Sequence, residues 1–278
     1  MYSRKNYMSQ EISIATTNTH YGNILTTPNG LAPFANRAVD VLLLQELSQL
    51  SQAAIDSSLA DWGYAMVHHH EEAGLGIAIR QGSQLTDNAV EHQTYELAKI
   101  SRIGQTALRY QLPIADRFRA RALIYTEFTH SAGQVIGVFT AHPIVFARPL
   151  ARKRQIEVMS EVISDIRSNT PPQQALVGGF DGNHYPSPRN VDKLFAVQNG
   201  LSFAPITEST WKIRGSKHEW LARIASALTG RDLDSFDAIL DSLLYANLEL
   251  SKSEVMTVAS DHDAIVGHFK LPNIKHTS

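Results

Sequence analysis

The stretch "VDVLLLQE" at residues 39–46 decides the architecture of this chain. Its apolar residues run almost without interruption and end at a carboxylate, Glu46. Short continuous apolar runs of this kind are typical of strands that are covered on both faces. Similar runs recur along the chain with helical spacing between several of them. The pattern therefore predicts one compact α/β domain in which two sheets are covered by helices.

The other elements follow from the spacing of apolar residues. Further strands are predicted at 11–18, 74–80, 119–128, 134–142, 174–180, 235–242, 246–256 and 264–271. Helices are predicted around 55–62 and over 150–168 and 189–199. Residues 1–10 are expected to form a flexible tail, 11–272 the single domain and 215–231 a helical insertion, while 68–72 ("HHHEE") and 101–118 are expected to be loops.

Composition excludes several classes of protein. The chain has 278 residues, 43% hydrophobic and 19% charged, which is enough for a substantial core. A net charge of −2 does not indicate a strongly basic protein that coats duplex nucleic acid. The absence of cysteine excludes disulfides, thiolate nucleophiles and Cys-ligated zinc. The sequence shows no apolar signal segment and no run of bilayer length, so we expect a cytoplasmic protein without a membrane span.

Polar residues cluster at the ends of the predicted strands. Strand ends and their loops are where α/β proteins collect functional groups. Each residue alone also fits an ordinary turn, because Asp and Asn favour turns. Taken together, they are oxygen donors plus two histidines, which suits Mg²⁺, or Mn²⁺ or Ca²⁺, and hydrolysis of a phosphate ester. The set is Asn18, Glu46, His142, Asp181, Asn183, Asp237, Asp261 and His262.

These motifs resemble the ordered series of the endonuclease/exonuclease/phosphatase (DNase I-like) superfamily. The matching segments are "TTN" (16–18), "LLLQEL" (42–47), "TAH" (140–142), "DGN" (181–183), "SFDAIL" (235–240) and "SDHDA" (260–264). The resemblance implies a four-layer α/β/β/α sandwich, with two mixed sheets packed face to face and helices outside. The sequence departs from the family pattern at "GGFDGN" (178–183), where Phe180 precedes the aspartate and implies a shifted or bulged strand end.

The resemblance also implies a role for each residue. Glu46 would ligate the metal with help from Asn18, and Asp261 would reach toward it while orienting His262. Asp181 would position or deprotonate the attacking water, and Asn183 would bind the phosphate. His262 would contact the scissile phosphate or act as the base. His142, paired with Asp237, would contact the phosphate or act as the acid toward the leaving group.

Two further sets of residues have open interpretations. Arg119 and Arg121 share a face of a predicted strand and would form either a phosphate-binding edge or a plain solvated surface. The histidines at 68–70 would bind a transition metal or lie in a polar loop, and on a strand three adjacent side chains cannot face one ion.

Three functions are open at this point. The first is a metal-dependent phosphodiesterase of the nuclease type, with nucleic acid as a substrate class. The second is a phosphatase or phosphodiesterase acting on a small molecule or a lipid headgroup. The third is a binding module of the same fold without activity.

Overall fold

The structure, a computed structural model, describes residues 11–47, 49–88, 92–98, 121–143, 149–182, 195–212, 237–238 and 240–272. Among these residues no helix is both long and apolar enough to cross a bilayer. The predicted tail at 1–10, the loop at 101–118, the insertion at 215–231 and most of the helix at 189–199 lie outside the described residues.

The described elements alternate between strands and short helices in the first half of the chain. They are β1 (Glu11–Asn18), α1 (Asn23–Thr26), α2 (Ala32–Asn36), β2 (Val41–Gln45), α3 (Gln52–Ala60), β3 (Tyr64–His70), β4 (Leu75–Arg80), β5 (Leu85–Asp87) and β6 (Gln93–Ala98). Then come β7 (Arg121–His130), β8 (Val135–Ala141), α4 (Pro149–Asn169), β9 (Ala175–Asp181), β10 (Ser202–Phe203), β11 (Trp211–Lys212), β12 (Asp237–Ala238), β13 (Asp241–Ala246), β14 (Glu249–Met256) and β15 (Ala264–Lys270).

The strands form two mixed sheets. The first has the order β14-β15-β1-β2-β4-β3, and β1 and β2 are its parallel pair. The second has the order β10-β13-β9-β8-β7-β5, with β6 also paired to β7, and β8 and β9 are its parallel pair. Because each parallel pair sends two strands in the same direction, the residues that follow those strands gather at one end of each sheet.

Three apolar layers confirm the four-layer arrangement. The layer between the sheets includes Ile14, Leu43, Ile77, Ile124 and Val138. Residues of α1, α2 and α3 pack on the outer face of the first sheet, and residues of α4 pack on the outer face of the second. The apolar run that opened the sequence analysis is buried on both faces because Leu43 faces the other sheet while Leu42 and Leu44 face the helices.

Gly179 lets the two sheets approach each other beside the end of β9, and Gly178 makes room for Phe139 on the helix side of its own sheet. A Cβ atom at Gly179 would lie 2.3 Å from Thr16 Oγ1 of the facing sheet, and one at Gly178 would lie 1.9 Å from the Phe139 ring. Neither position has room for a side chain, so the "GG" of this strand is a packing requirement. The close approach brings Asp181 at the end of β9 near the end of β1.

Two local predictions are wrong. Residues 68–70 are not in a loop, because they belong to β3, which has a bulge between Met66 and His68. The predicted strand at 235–242 contains all of β12 and the first two residues of β13, which are separate strands, since β12 pairs with β11 whereas β13 pairs with β9 in the second sheet. β3 is not predicted because its sequence is polar, and β12 and β13 are predicted as one strand because apolar residues connect them in the sequence.

Candidate active site

Asp181 lies where the ends of the two sheets meet. It is the last residue of β9 and is 1% exposed. Its Oδ2 atom accepts a hydrogen bond of 2.9 Å from Nδ2 of Asn18, the last residue of β1. The same Oδ2 atom lies 3.7 Å from His142 Nε2 and 3.8 Å from His262 Nε2. One carboxylate oxygen therefore faces an amide and two imidazoles that come from distant parts of the chain.

Glu46 follows β2 in a left-handed backbone conformation, with φ of 60°. A non-glycine residue in this region is strained by about 1–3 kcal/mol, and such residues cluster at functional sites. The hydroxyl of Thr19 holds the turn, because its Oγ1 lies 2.8 Å from the Gln45 carbonyl oxygen and 3.0 Å from that of Glu46. The turn directs the Glu46 carboxylate to a point 3.8 Å from His142 Nε2.

A buried amide joins the two sheets beneath these residues. Nε2 of Gln45, which is 0% exposed, donates to Thr16 Oγ1 at 3.1 Å and to Thr140 Oγ1 at 2.7 Å. Thr140 lies on β8 in the second sheet, whereas Gln45 and Thr16 lie in the first. The hydrogen bonds fix the spacing of the strands that end at Glu46 and His142.

His262 is bound by Asp241, a residue that the sequence analysis did not select. Asp241 Oδ2 lies 2.8 Å from His262 Nδ1, and both side chains are buried. Asp241 opens β13 and is the register partner of Asp181, so its position follows from the antiparallel pairing of β13 with β9. The carboxylate that contacts the His262 ring is therefore Asp241, and the expectation that Asp261 orients this ring is corrected.

Thr210 holds Asp241 and the turn that carries His262 together. Its Oγ1 accepts hydrogen bonds from the backbone N–H groups of Leu240 (3.0 Å) and Asp241 (3.1 Å), and its carbonyl accepts one from Asp263 (2.6 Å). The next residue, Trp211, forms a backbone bridge with His262. This connection has no signature in the local sequence around either member of the Asp241–His262 pair.

Charges around His262 determine its protonation. Burial alone would lower the pKa of His262, but the carboxylates of Asp241 and Asp181 outweigh burial and raise it. Burial raises the pKa of Asp181, whereas the His262 charge and the Asn18 amide act in the opposite direction. A proton on the ring satisfies both carboxylates, so we place it on His262, between Asp241 and Asp181.

His142 has a different environment. It follows β8, is 3% exposed, and its Nδ1 atom lies 3.1 Å from Nη1 of Arg121. Arg121 is itself 4% exposed, so the alternative of a plain solvated surface is wrong at this residue, and its contact with phosphate stays a prediction. The sequence analysis paired His142 with Asp237, but the side chain of Asp237 lies outside the described part of the chain, as do Asn183 and Arg119.

The turn at 260–262 closes the site from the side of β1. Ser260 Oγ donates to the Asn18 carbonyl at 2.8 Å and accepts from the backbone N–H of His262 at 3.2 Å. Asp261, with a side chain 10% exposed, lies 3.5 Å from Nδ1 of His20. Ser260 therefore holds the turn against the end of β1, and the Asp261 carboxylate stays at the mouth of the site.

The oxygen donors at this end of the sheets fit a divalent cation. Glu46 and Asp261 supply partly exposed carboxylates. Asn18 supplies Oδ1, which among the described residues accepts only the His20 backbone N–H, at 2.9 Å. Carboxylate and amide oxygens are the ligands that Mg²⁺, Mn²⁺ and Ca²⁺ prefer.

A second set of possible ligands lies deeper. Within the described residues, the ligand atoms of Asp181, Asp241 and His262 lie within 4.8 Å of one another. Here Nδ1 of His262 is already engaged by Asp241 at 2.8 Å, and a ring that carries protons on both nitrogens cannot ligate a metal. This buried cluster suits proton transfer better than it suits metal binding.

Solved structures establish the fold class of this chain. The fold is that of the endonuclease/exonuclease/phosphatase, or DNase I-like, proteins. A Bacteroides thetaiotaomicron protein of that family matches with a TM-score of 0.62 and 12% identity, over 96% of this chain and 100% of its own. Neither a family model nor a curated protein sequence matches this chain.

TDP2 and Nocturnin are also similar to this chain in structure. D. rerio TDP2, humanized by 14 mutations, matches with a TM-score of 0.63 and 14% identity, over 94% of this chain and 100% of its own. A structure of D. rerio TDP2 with single-strand DNA product matches with a TM-score of 0.59 and 15% identity, over 94% of this chain and 99% of its own. The human Nocturnin catalytic domain with bound sulfate matches with a TM-score of 0.61 and 15% identity, over 95% of this chain and 96% of its own.

Proposed function

We propose that this chain is a divalent-metal-dependent phosphoesterase that hydrolyses phosphodiesters, with nucleic acid as its substrate class. The observation that carries the proposal is the placement of Asp181 Oδ2, 2.9 Å from the Asn18 amide and 3.7–3.8 Å from two histidine rings. A buried acceptor flanked by two imidazoles can receive a proton from water while donors on either side hold phosphoryl oxygens.

Glu46, Asn18 and Asp261 would hold the cation at the mouth of the site. When bound, a divalent cation polarises a phosphoryl oxygen and neutralises charge that develops on it. The buried groups behind them would then act on the water and the leaving group. We assign Asn183, which follows Asp181 by two residues, to a phosphate oxygen.

The two histidines would take opposite sides of the phosphorus atom. A water oxygen forms a new bond to phosphorus as its proton passes to the unit formed by Asp181 and His262, which Asp241 supports at 2.8 Å. The bond between phosphorus and the leaving oxygen breaks, that oxygen takes a proton from solvent water, and the unit formed by Asp181 and His262 then returns its own proton to solvent. His142, through Nε2, would hold a phosphoryl oxygen on the leaving side.

The similar structures support the choice of substrate class. One of them contains TDP2 with a single-strand DNA product, and another contains a sulfate anion, which has the tetrahedral shape of phosphate. The net charge of −2 agrees with local phosphate recognition in a cleft better than with coating of a duplex.

The test is a substrate panel with and without metal. Purified protein is given Mg²⁺, Mn²⁺ or Ca²⁺, or EDTA, with plasmid DNA, single-stranded RNA, bis-p-nitrophenyl phosphate and p-nitrophenyl phosphate. We expect metal-dependent cleavage of the diesters and none in EDTA. Cleavage of the monoester alone would replace the proposal with a phosphatase, and a folded protein that cleaves nothing would indicate a binding module.

A further inference from the structure

We propose that Arg121 is a positioning residue that fixes His142 as a hydrogen-bond donor toward the reaction centre. The effect of Arg121 on turnover rests on the proposed function, whereas the position of the hydrogen on the His142 ring does not. It makes the two site histidines chemically different, although both rings lie at similar distances from Asp181.

The contact between Arg121 and His142 follows from the pairing of β7 with β8. Leu123 is the register partner of Ala141, so the first residues of β7 lie beside the residues that follow β8. Nη1 of Arg121 lies 3.1 Å from His142 Nδ1 and 3.5 Å from the His142 carbonyl oxygen. Because both side chains are buried, water does not compete freely for the contact.

The chemistry of arginine determines which ring nitrogen bears hydrogen. A guanidinium group has donors only and keeps its proton in proteins. His142 Nδ1 must therefore accept the hydrogen bond, and the ring hydrogen must be on Nε2. The surroundings of Nε2 agree, because among the described residues it lies near the acceptors Glu46 Oε1, at 3.8 Å, and Asp181 Oδ2, at 3.7 Å.

The consequence is a division of labour between the histidines. A ring whose Nδ1 accepts a hydrogen bond from arginine carries no hydrogen on that nitrogen. Its Nε2–H can donate to a phosphoryl oxygen of the substrate. His142 would thus hold the substrate by a hydrogen bond, while proton transfer from water uses Asp181 and His262. Of the two roles expected for His142, this assignment keeps the contact with the phosphate and excludes the acid that Asp237 would support.

Imidazole nitrogen NMR tests the structural content without any substrate. The full chain is labelled with ¹⁵N-histidine, and the signals of His142 are identified among its 12 histidines as those that His142→Gln removes. We expect a hydrogen-bearing Nε2 and an acceptor Nδ1. A ring with hydrogen on Nδ1, alone or on both nitrogens, would overturn the inference whether or not the protein is active.

Three variants extend the test to activity. Arg121→Met removes the donor and should mix the two tautomers and lower kcat on the order of ten- to a hundredfold, the effect of losing a residue that orients a functional group. Arg121→Lys keeps a donor and should recover part of that loss and more of the Nε2–H form. Arg80→Met is the matched control, because Arg80 is ion-paired with Asp40 at 2.7 Å and contacts no site residue in the described set.

The outcomes separate this inference from the proposed function. An unchanged tautomer in Arg121→Met, or equal turnover in the Met and Lys variants, would overturn the role of Arg121 while leaving hydrolysis intact. A chain that hydrolyses nothing but shows the expected tautomer would remove the proposed function and leave the contact. If Arg121→Met does not fold, the wild-type spectrum still decides the position of the hydrogen.

Discussion

His142 and His262 lie on either side of one carboxylate oxygen, 3.7 and 3.8 Å from it, yet their other ring nitrogens meet groups of opposite charge. Nδ1 of His262 faces the Asp241 carboxylate at 2.8 Å, and Nδ1 of His142 faces the Arg121 guanidinium at 3.1 Å. The chemistry of a site histidine is therefore set by the residue behind the ring. An aspartate favours a ring that carries hydrogen on Nδ1, whereas an arginine forbids it.

The largest effect is expected at the group that both histidines share. Asp181→Asn replaces the buried acceptor with an amide, so turnover should fall by at least about a thousandfold, within the range for a lost acid–base group. Steady-state hydrolysis of bis-p-nitrophenyl phosphate measures the loss. Asp40→Asn is the control, because Asp40 is bound by Arg80 and Ser13 before β2, away from Glu46. Near-full activity of Asp181→Asn would remove Asp181 from the site.

A second experiment asks which aspartate supports His262. Asp241→Asn should lower turnover about a hundredfold, because an amide can support the wrong tautomer of the ring. Asp237→Asn tests the alternative that the sequence motif favoured, and it should lose much less. Each variant replaces one carboxylate oxygen with an amide nitrogen, so the ratio of the two turnover numbers compares the two aspartates directly. A larger loss in Asp237→Asn would restore the motif assignment.

A third experiment weakens the support of Asp241 without touching its carboxylate. Thr210→Val removes the acceptor of the backbone N–H groups of Leu240 and Asp241, and the change should destabilise the protein by about 1–3 kcal/mol. Urea unfolding measures the stability, and turnover should fall less than in Asp241→Asn. The matched change on the other side is Thr140→Val, which removes the contact with Gln45. Equal stability of Thr210→Val and wild type would show that this hydroxyl is not structural.

The smallest effect concerns a buried histidine, His130, whose Nε2 has no hydrogen-bond partner among the residues that the structure describes. His130, at the end of β7 opposite Arg121, is 2% exposed, and its Nδ1 accepts the Ala132 backbone N–H at 3.1 Å. Burial lowers the pKa of His130, and the charge of Asp40 opposes burial only in part. Because this pKa lies below the unfolded value of about 6.5, stability is fully present above that pH and is lost as the pH falls below it.

Replacing this ring should flatten the loss at low pH. His130→Asn keeps an acceptor near the Ala132 N–H but cannot titrate, so its free energy of unfolding should fall less than that of wild type between pH 7.5 and pH 5, a range about the ordinary histidine pKa. Urea unfolding at several pH values checks this. Part of the slope will remain, because burial also lowers the pKa of His68 and His69. Parallel curves for the two proteins would contradict the expectation.

Most of the fold could be predicted because the apolar period is strong where both faces of a strand are buried. The predicted strands at 11–18, 74–80 and 264–271 match β1, β4 and β15 to within one residue. β3 was missed because it is an edge strand with partly exposed polar residues, so its sequence "YAMVHHH" has no alternation to detect.

The site was predictable only in part. Asn18, Glu46, Asp181 and His262 could be selected because each stands beside the end or the start of an apolar run, and the structure brings them together. Asp241 could have been found from the same signal, since it opens the apolar run "SLLYA", but the nearby motif drew attention to Asp237. Nothing in the local sequence of Arg121 distinguishes a buried guanidinium from a solvated one.

Strand ends, and the chemical groups that stand there, could be predicted from one chain because burial imposes a period on its apolar residues. The tertiary structure alone decided that Asp241 supports His262 and that Arg121 supports His142. The difference arises because the first kind of information is local in the chain and the second is not. Periodicity records which face of a strand is buried, whereas a hydrogen bond depends on whether atoms of strands far apart in the chain come within about 3 Å.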